Sequence, residues 1–219
     1  SVAGGIPILK LIREGLIVND INKLTGILNG TANYILSEME KEQKSFDVVL
    51  KEAQKKGFAE ADPSMDVTGL DAAYKLVILA AVAFKVDIQL DDIYYEGIES
   101  ITLSDITYAK QLGFKIKLLA TGKRLEDNTF SFSVYPTCIP TTHPLATVKN
   151  EFNASLILSC AIRFAPLSNL QCPCRCPFGR SFIANRIEVL ERLATTASTA
   201  SFPNGSVLLS NTISPCLNL

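Results

Sequence analysis

Apolar residues recur at helical spacing soon after the start of the chain. Ile8, Leu11, Ile12 and Leu16 share one face, and Lys10 and Arg13 point away. The Gly4-Gly5 pair and Pro7 ahead of them read as a turn. Ile21 to Leu28 is rich in branched residues and runs into Asn29-Gly30-Thr31, which predicts a strand ending in a turn. Thr31 then suits a helix start, with Tyr34, Ile35 and Met39 as its apolar face. Ser45 is placed to cap a second helix that carries Asp47 early, Lys55 and Lys56 late, and Gly57 as its stop. Residues 58–68 form a polar, acidic loop, and a longer helix is predicted over 69–84. Its second half is almost wholly apolar and should be buried. Beyond it, 104–112 looks helical. Residues 114–121 alternate, with Lys115 and Lys117 predicted outward and Ile116 and Leu118 inward. Residues 122–128 read as a turn and 129–135 as the return strand of a hairpin. Helices and strands mixed in this order predict an α/β (α+β) fold with a mixed sheet.

The longest clean apolar run is the nine residues from Leu76 to Phe84, well short of the roughly 20 that a membrane span needs. The chain has 219 residues, with 21 basic and 22 acidic side chains. That balance argues against a general nucleic-acid or anionic-membrane binder. The totals conceal a break near residue 150. Every lysine, every aspartate and all six tyrosines precede it, whereas five of the six cysteines follow it. Two parts of one folded unit rarely differ so much in composition. Residues 1–150 are therefore the interpretable region. The chain starts at Ser1 without a signal segment, which suggests processing or a piece of a longer protein.

The stretch from Gly57 to Lys75 carries the chemistry. Glu60, Asp62, Asp66 and Asp71 fall within twelve residues and are followed by Lys75. Asp71 and Lys75 are four apart and share a helix face. By spacing alone this is a solvated ion pair of about 0.3–0.5 kcal/mol. Lys75 also leads into the apolar half of its helix, so the same face could look into a site, where an amine held away from bulk water can give or take a proton. The single histidine, His143, sits in an extended Thr142-His143-Pro144-Leu145 segment and reads as structural or solvated.

These residues resemble the catalytic, substrate-binding domain of homoserine dehydrogenases. The matching pieces are Ser1 to Pro7, Ile27 to Leu36, Gly57 to Lys75, Asp105-Ile106, Ala109 to Gly113 and His143 to Ala146, all in the family's order. The likeness covers residues 1–154, about 70% of the chain. It implies an oxidoreductase that interconverts L-homoserine and L-aspartate 4-semialdehyde with NAD or NADP in cytoplasmic threonine, methionine and isoleucine biosynthesis. It implies Lys75 as the catalytic acid/base. Glu60 and Asp71 would hold the substrate, with Glu60 on its ammonium, and Asp66, Gly30 and Thr31 would line the pocket. The backbone carbonyls of Val2, Gly4 and Ile6 would bind sodium, although the glutamate that completes that site in the family would precede Ser1, and Gly4-Gly5 can equally be only a turn. Helices on one sheet face, with the other face used for homodimer formation, complete the implied fold.

Two departures stand against the family pattern. The nucleotide-binding domain that precedes this segment in the family, with its glycine-rich fingerprint, has no counterpart in these 219 residues. The expectation is a substrate domain at 1–154, inactive by itself. The tail 155–219 also diverges, which suggests an altered reading frame near Ala154. Cys172, Cys174 and Cys176 alternate, with Cys160 twelve residues earlier, a spacing that fits zinc poorly. The alternative reading is a non-catalytic amino-acid-binding or oligomerisation module. A strand–glycine loop–helix unit encoded upstream of Ser1 would favour the enzyme.

Overall fold

The computed structural model describes residues 2–161 and 206–209; the Cys172–Cys176 cluster lies outside them. A six-stranded mixed sheet forms the centre. Its strands are β1 (Asn19–Ile27), β2 (Tyr94–Tyr95), β3 (Phe114–Arg124), β4 (Phe130–Pro140), β5 (Ala154–Ala161) and β6 (Ser206–Leu209), in the order β2-β4-β3-β1-β5-β6. The pairs β2–β4 and β5–β6 are parallel and the others antiparallel. The helices are α1 (Ile8–Lys10, continued by a π-helical turn over Leu11–Gly15), α2 (Gly30–Glu42), α3 (Phe46–Lys56), α4 (Ser64–Val67), α5 (Leu70–Ala83) and α6 (Leu103–Gln111). No helix among the described residues is long and apolar enough to cross a membrane.

Local chemistry explains most of these boundaries. Thr102 and Asp105 cap α6 reciprocally, each side chain accepting from the other's backbone amide. The end of α3 is closed at Gly57 (φ 79°), where Phe58 N donates to Ala53 O at 2.9 Å. Phe58 then stacks on Tyr34 of α2 with ring centroids 4.5 Å apart, locking α3 to α2. A register shift between Ile21 and Lys23 in β1 lets Ile21 and Leu24, three apart, both enter the core.

The main core lies between the helices and the sheet face that carries Leu24, Leu118, Ala120, Phe132, Val134 and Ile157. Leu76, Leu79 and Ala80 of α5 are fully buried against it. The opposite face carries Ile27, Leu119 and Ile139, covered by Leu145 and Ala146 of a short 3-10 turn at Pro144–Thr147. His143 caps that turn, its Nδ1 accepting from Leu145 N at 3.2 Å.

Three expectations change in detail. The polar loop 58–68 contains α4. The hairpin is longer than its pattern, with β3 running to Arg124 and the turn confined to 125–129. Lys117, expected to face out, is 2% exposed. It has the outward parity of Leu119, but the chain returns over that face and closes it.

Candidate active site

The start of α5 is set by a close crossing of backbones. Gly69 takes φ 82° just before the helix, a conformation that costs glycine little. A Cβ on Gly97 would lie 2.0 Å from Val67 O, so only glycine allows Ile98 N to donate to that carbonyl at 2.7 Å. This crossing fixes Asp66 on α4 and Asp71 on α5 relative to each other.

The two carboxylates meet at Asn29. Its Nδ2 donates to Asp66 Oδ1 at 2.7 Å and to Asp71 Oδ2 at 2.8 Å. Its Oδ1 accepts from Ala32 N at 2.7 Å and so caps α2. Lys75 Nζ completes the group, 2.5 Å from Asp71 Oδ2 and 3.0 Å from the Leu28 carbonyl. Lys75 and Asp71 keep 21% and 28% of their side-chain surface exposed. The pair is partly shielded and keeps some contact with solvent. It is more than a solvated rung on a helix, because the Leu28 carbonyl and the Asn29 amide, more than 40 residues earlier in the chain, bond one member each.

The remaining candidates take different places. Gly30 and Thr31 begin α2 directly beside Asn29, and Thr31 Oγ1 donates to Phe58 O at 3.0 Å. That bond and Gln54 Nε2, which donates to Glu60 O at 3.1 Å and Ala61 O at 3.2 Å, hold the loop that carries Glu60. The Glu60 side chain is exposed, and among the described residues its carboxylate makes no hydrogen bond or ion pair. The structure therefore brings together Lys75, Asp71 and Asp66, with Gly30 and Thr31 adjacent, and leaves Glu60 outside the bonded cluster.

Near the amino terminus, Ala3 and Gly4 both have left-handed backbones (φ 57° and 58°). The Ile6 carbonyl already accepts Ile8 N at 2.8 Å, which leaves it one lone pair. The Val2, Gly4 and Ile6 carbonyls are neutral oxygens, the ligand type that hard cations take. No group of three or more His, Cys, Asp or Glu side chains among the described residues is placed to hold a metal ion.

Asn29 is the participant that sequence reasoning missed. The sequence pattern places it in a turn with the helix start at Thr31, whereas the helix begins at Gly30 and Asn29 is its cap. Nothing local shows that its amide also reaches two carboxylates 37 and 42 residues away.

A sequence model of the family described as homoserine dehydrogenase matches residues 7–163. The chain belongs to the homoserine dehydrogenase family. It is 50% identical over 157 residues to the homoserine dehydrogenase of Pseudomonas aeruginosa, covering 72% of this chain and 36% of that protein. It is 49% identical over 162 residues to that of Bacillus subtilis, covering 74% and 37%. The crystal structure of a homoserine dehydrogenase from Thiobacillus denitrificans superposes with a TM-score of 0.71 at 50% identity, covering 74% of this chain and 37% of that one. One from Staphylococcus aureus gives 0.64 at 49%, covering 71% and 38%. The chain thus spans a little over a third of the length of these four homoserine dehydrogenases.

Proposed function

We propose that residues 1–154 form the substrate-binding and proton-transfer domain of an enzyme that interconverts L-homoserine and L-aspartate 4-semialdehyde with NAD or NADP. The observation that carries this reading is the convergence of Asp66, Asp71 and Lys75 on Asn29.

The chemistry follows from the charges. Two carboxylates and one ammonium leave the cluster net negative, a complement to the ammonium of an amino acid. Glu60, on its held but exposed loop, adds a third carboxylate that is free to turn toward a bound amine. In the reduction of the semialdehyde the Lys75 ammonium gives its proton to the carbonyl oxygen and is left as the amine; in the oxidation of homoserine that amine takes the hydroxyl proton back. The ammonium's positive charge stabilises an alkoxide as that charge develops. The Leu28 carbonyl and Asp71, one helical turn away, fix the amine in place before substrate arrives.

The chemistry that a bound nicotinamide dinucleotide would supply is acceptance of a hydride from the hydroxyl-bearing carbon. The 219 residues contain no glycine-rich phosphate fingerprint, so these residues by themselves do not form the dinucleotide site. We assign that site to the nucleotide-binding domain that precedes the matched segment in this family. The carbonyls of Val2, Gly4 and Ile6 would hold a sodium ion. Thr25, Thr121, Tyr135 and Leu156 share the less covered sheet face, and we assign pairing of two copies to it.

The test is a hybrid in which residues 7–163 replace the matching segment of the Bacillus subtilis homoserine dehydrogenase. It is expected to oxidise L-homoserine with NAD or NADP, whereas the 219-residue chain assayed by itself should show no rate. A folded hybrid without activity would contradict the reading, as would clear turnover by the unassisted chain.

A further inference from the structure

Lys117 is a cation inside the protein. It is 2% exposed, and among the described residues no carboxylate lies within ion-pair distance of it. Its ammonium donates to Asn33 Oδ1 at 2.8 Å, to the Val148 carbonyl at 2.7 Å and to Ser37 Oγ at 3.4 Å. Burying a charge on neutral partners is costly, and an apolar residue of similar volume would fill the space at lower cost. Packing alone does not account for a lysine here.

The partners show what the ammonium connects. Asn33 lies in the first turn of α2 and is 1% exposed. While its oxygen accepts from Lys117, its Nδ2 donates to Asn150 O at 2.8 Å and Phe152 O at 3.3 Å. The segment 148–153 is thereby held at the start of α2 by Lys117 through Val148 and by Asn33 through Asn150 and Phe152. It presses there without slack, since a Cβ on Gly30 would lie 2.6 Å from Glu151 O. The residue before Gly30 is Asn29, whose amide holds Asp66 and Asp71. The Leu28 carbonyl before that accepts from Lys75.

We propose that Lys117 is a positioning residue of the proposed site, setting the 28–33 turn through Asn33 and the 148–153 segment so that Asn29 and Leu28 meet Asp66, Asp71 and Lys75 in fixed register. The inference rests on the substrate-site reading above. The charged groups facing Lys117 are Lys115, Glu40 and Lys149. Glu40 is engaged by Lys115 at 3.1 Å. Burial, with lesser repulsion from Lys115, pushes the Lys117 ammonium down to about 8.

The experiment uses the 219-residue chain and Lys117→Met, which keeps the stem and removes the donors. Three quantities are read at pH 7: the urea unfolding midpoint, L-homoserine affinity by calorimetry, and hydrogen exchange of the Ala32 amide, which reports its bond to Asn29. The expected result is an unchanged or higher midpoint, at least tenfold weaker homoserine binding and at least tenfold faster Ala32 exchange. A purely structural role would lower the midpoint and weaken binding together, and that outcome overturns the proposal. Unchanged affinity and exchange overturn it as well. If the parent chain takes up no homoserine, the substrate reading fails, and Ala32 exchange by itself then decides the positioning role. Should Lys117→Met not fold, Asn33→Ser removes the link while keeping the lysine. It must speed Ala32 exchange equally, and an unchanged rate overturns the proposal.

Discussion

Two lysines of this chain sit at opposite ends of one short network. Lys75 pairs with a carboxylate, keeps about a fifth of its side-chain surface in contact with solvent and borders a cluster of anionic groups. Lys117 is sealed behind helix α2 and the 148–153 segment, on neutral oxygens alone. An amine that exchanges protons with a substrate must be reachable and held by a partner that survives each cycle. An amine that braces a turn needs only fixed acceptors. The two are joined through residues 28–33, whose Leu28 carbonyl and Asn29 amide serve the first lysine and whose Asn33 serves the second.

The largest effect is expected where the difference between the lysines is chemical. In the hybrid with a nucleotide-binding domain, Lys75→Ala should lower kcat about 10³-fold, within the usual range for loss of a general acid/base, with little change in KM. Steady-state kinetics would show it, and a drop under tenfold would remove the functional distinction. The next effect tests the crossing under α5. Gly97→Ala places a methyl against the Val67 carbonyl and should destabilise the chain by about 3 kcal/mol, read by urea unfolding. It should disturb the Lys75 end and leave the Lys117 contacts intact.

The third prediction separates the lysines by titration. Lys117 holds its proton more weakly when folded (about 8) than an unfolded lysine does (about 10.4), so the unfolded chain binds more protons between those values. Stability contributed by this group therefore rises with pH across that window, by up to about 3 kcal/mol. Unfolding at pH 7 and pH 10, parent against Lys117→Met, should show the parent gaining more; equal gains would contradict it. The smallest effect falls on the shared segment. Asn29→Ala removes the α2 cap and should cost about 1–2 kcal/mol, accompanied by weaker homoserine binding, since Asp66 and Asp71 lose their common donor.

Local signals were enough for much of this architecture. Ser45 and Gly57 bracket α3, the apolar half of α5 announces its burial, and the Lys/apolar alternation marks β3. The four-residue spacing of Asp71 and Lys75 puts them on one helix face, as observed. What escaped depends on contacts distant in sequence. Alternation assigns Lys117 to the face opposite Leu118, but it cannot say that Val148, 31 residues later, closes that face. The two-residue strand at Tyr94–Tyr95 is too short to show a period, and its pairing with Ser133 and Val134 comes from the far side of the hairpin. Asn29 was legible only as part of a turn ahead of a helix start at Thr31; its cap lies at the edge of that reading, and its bridge escaped because both carboxylates it holds arrive from a later loop and helix. Glu60 illustrates the reverse: the family likeness picks it out, whereas the fold leaves its carboxylate among the solvent-facing groups.

The most direct test is a crystal structure of the chain soaked with L-homoserine. The substrate hydroxyl should lie about 2.6–3.2 Å from Nζ of Lys75, hydrogen-bond reach for proton transfer, with the substrate ammonium turned toward the carboxylates. Homoserine bound with its hydroxyl facing away from that nitrogen, or held elsewhere on the chain, would contradict this role of Lys75.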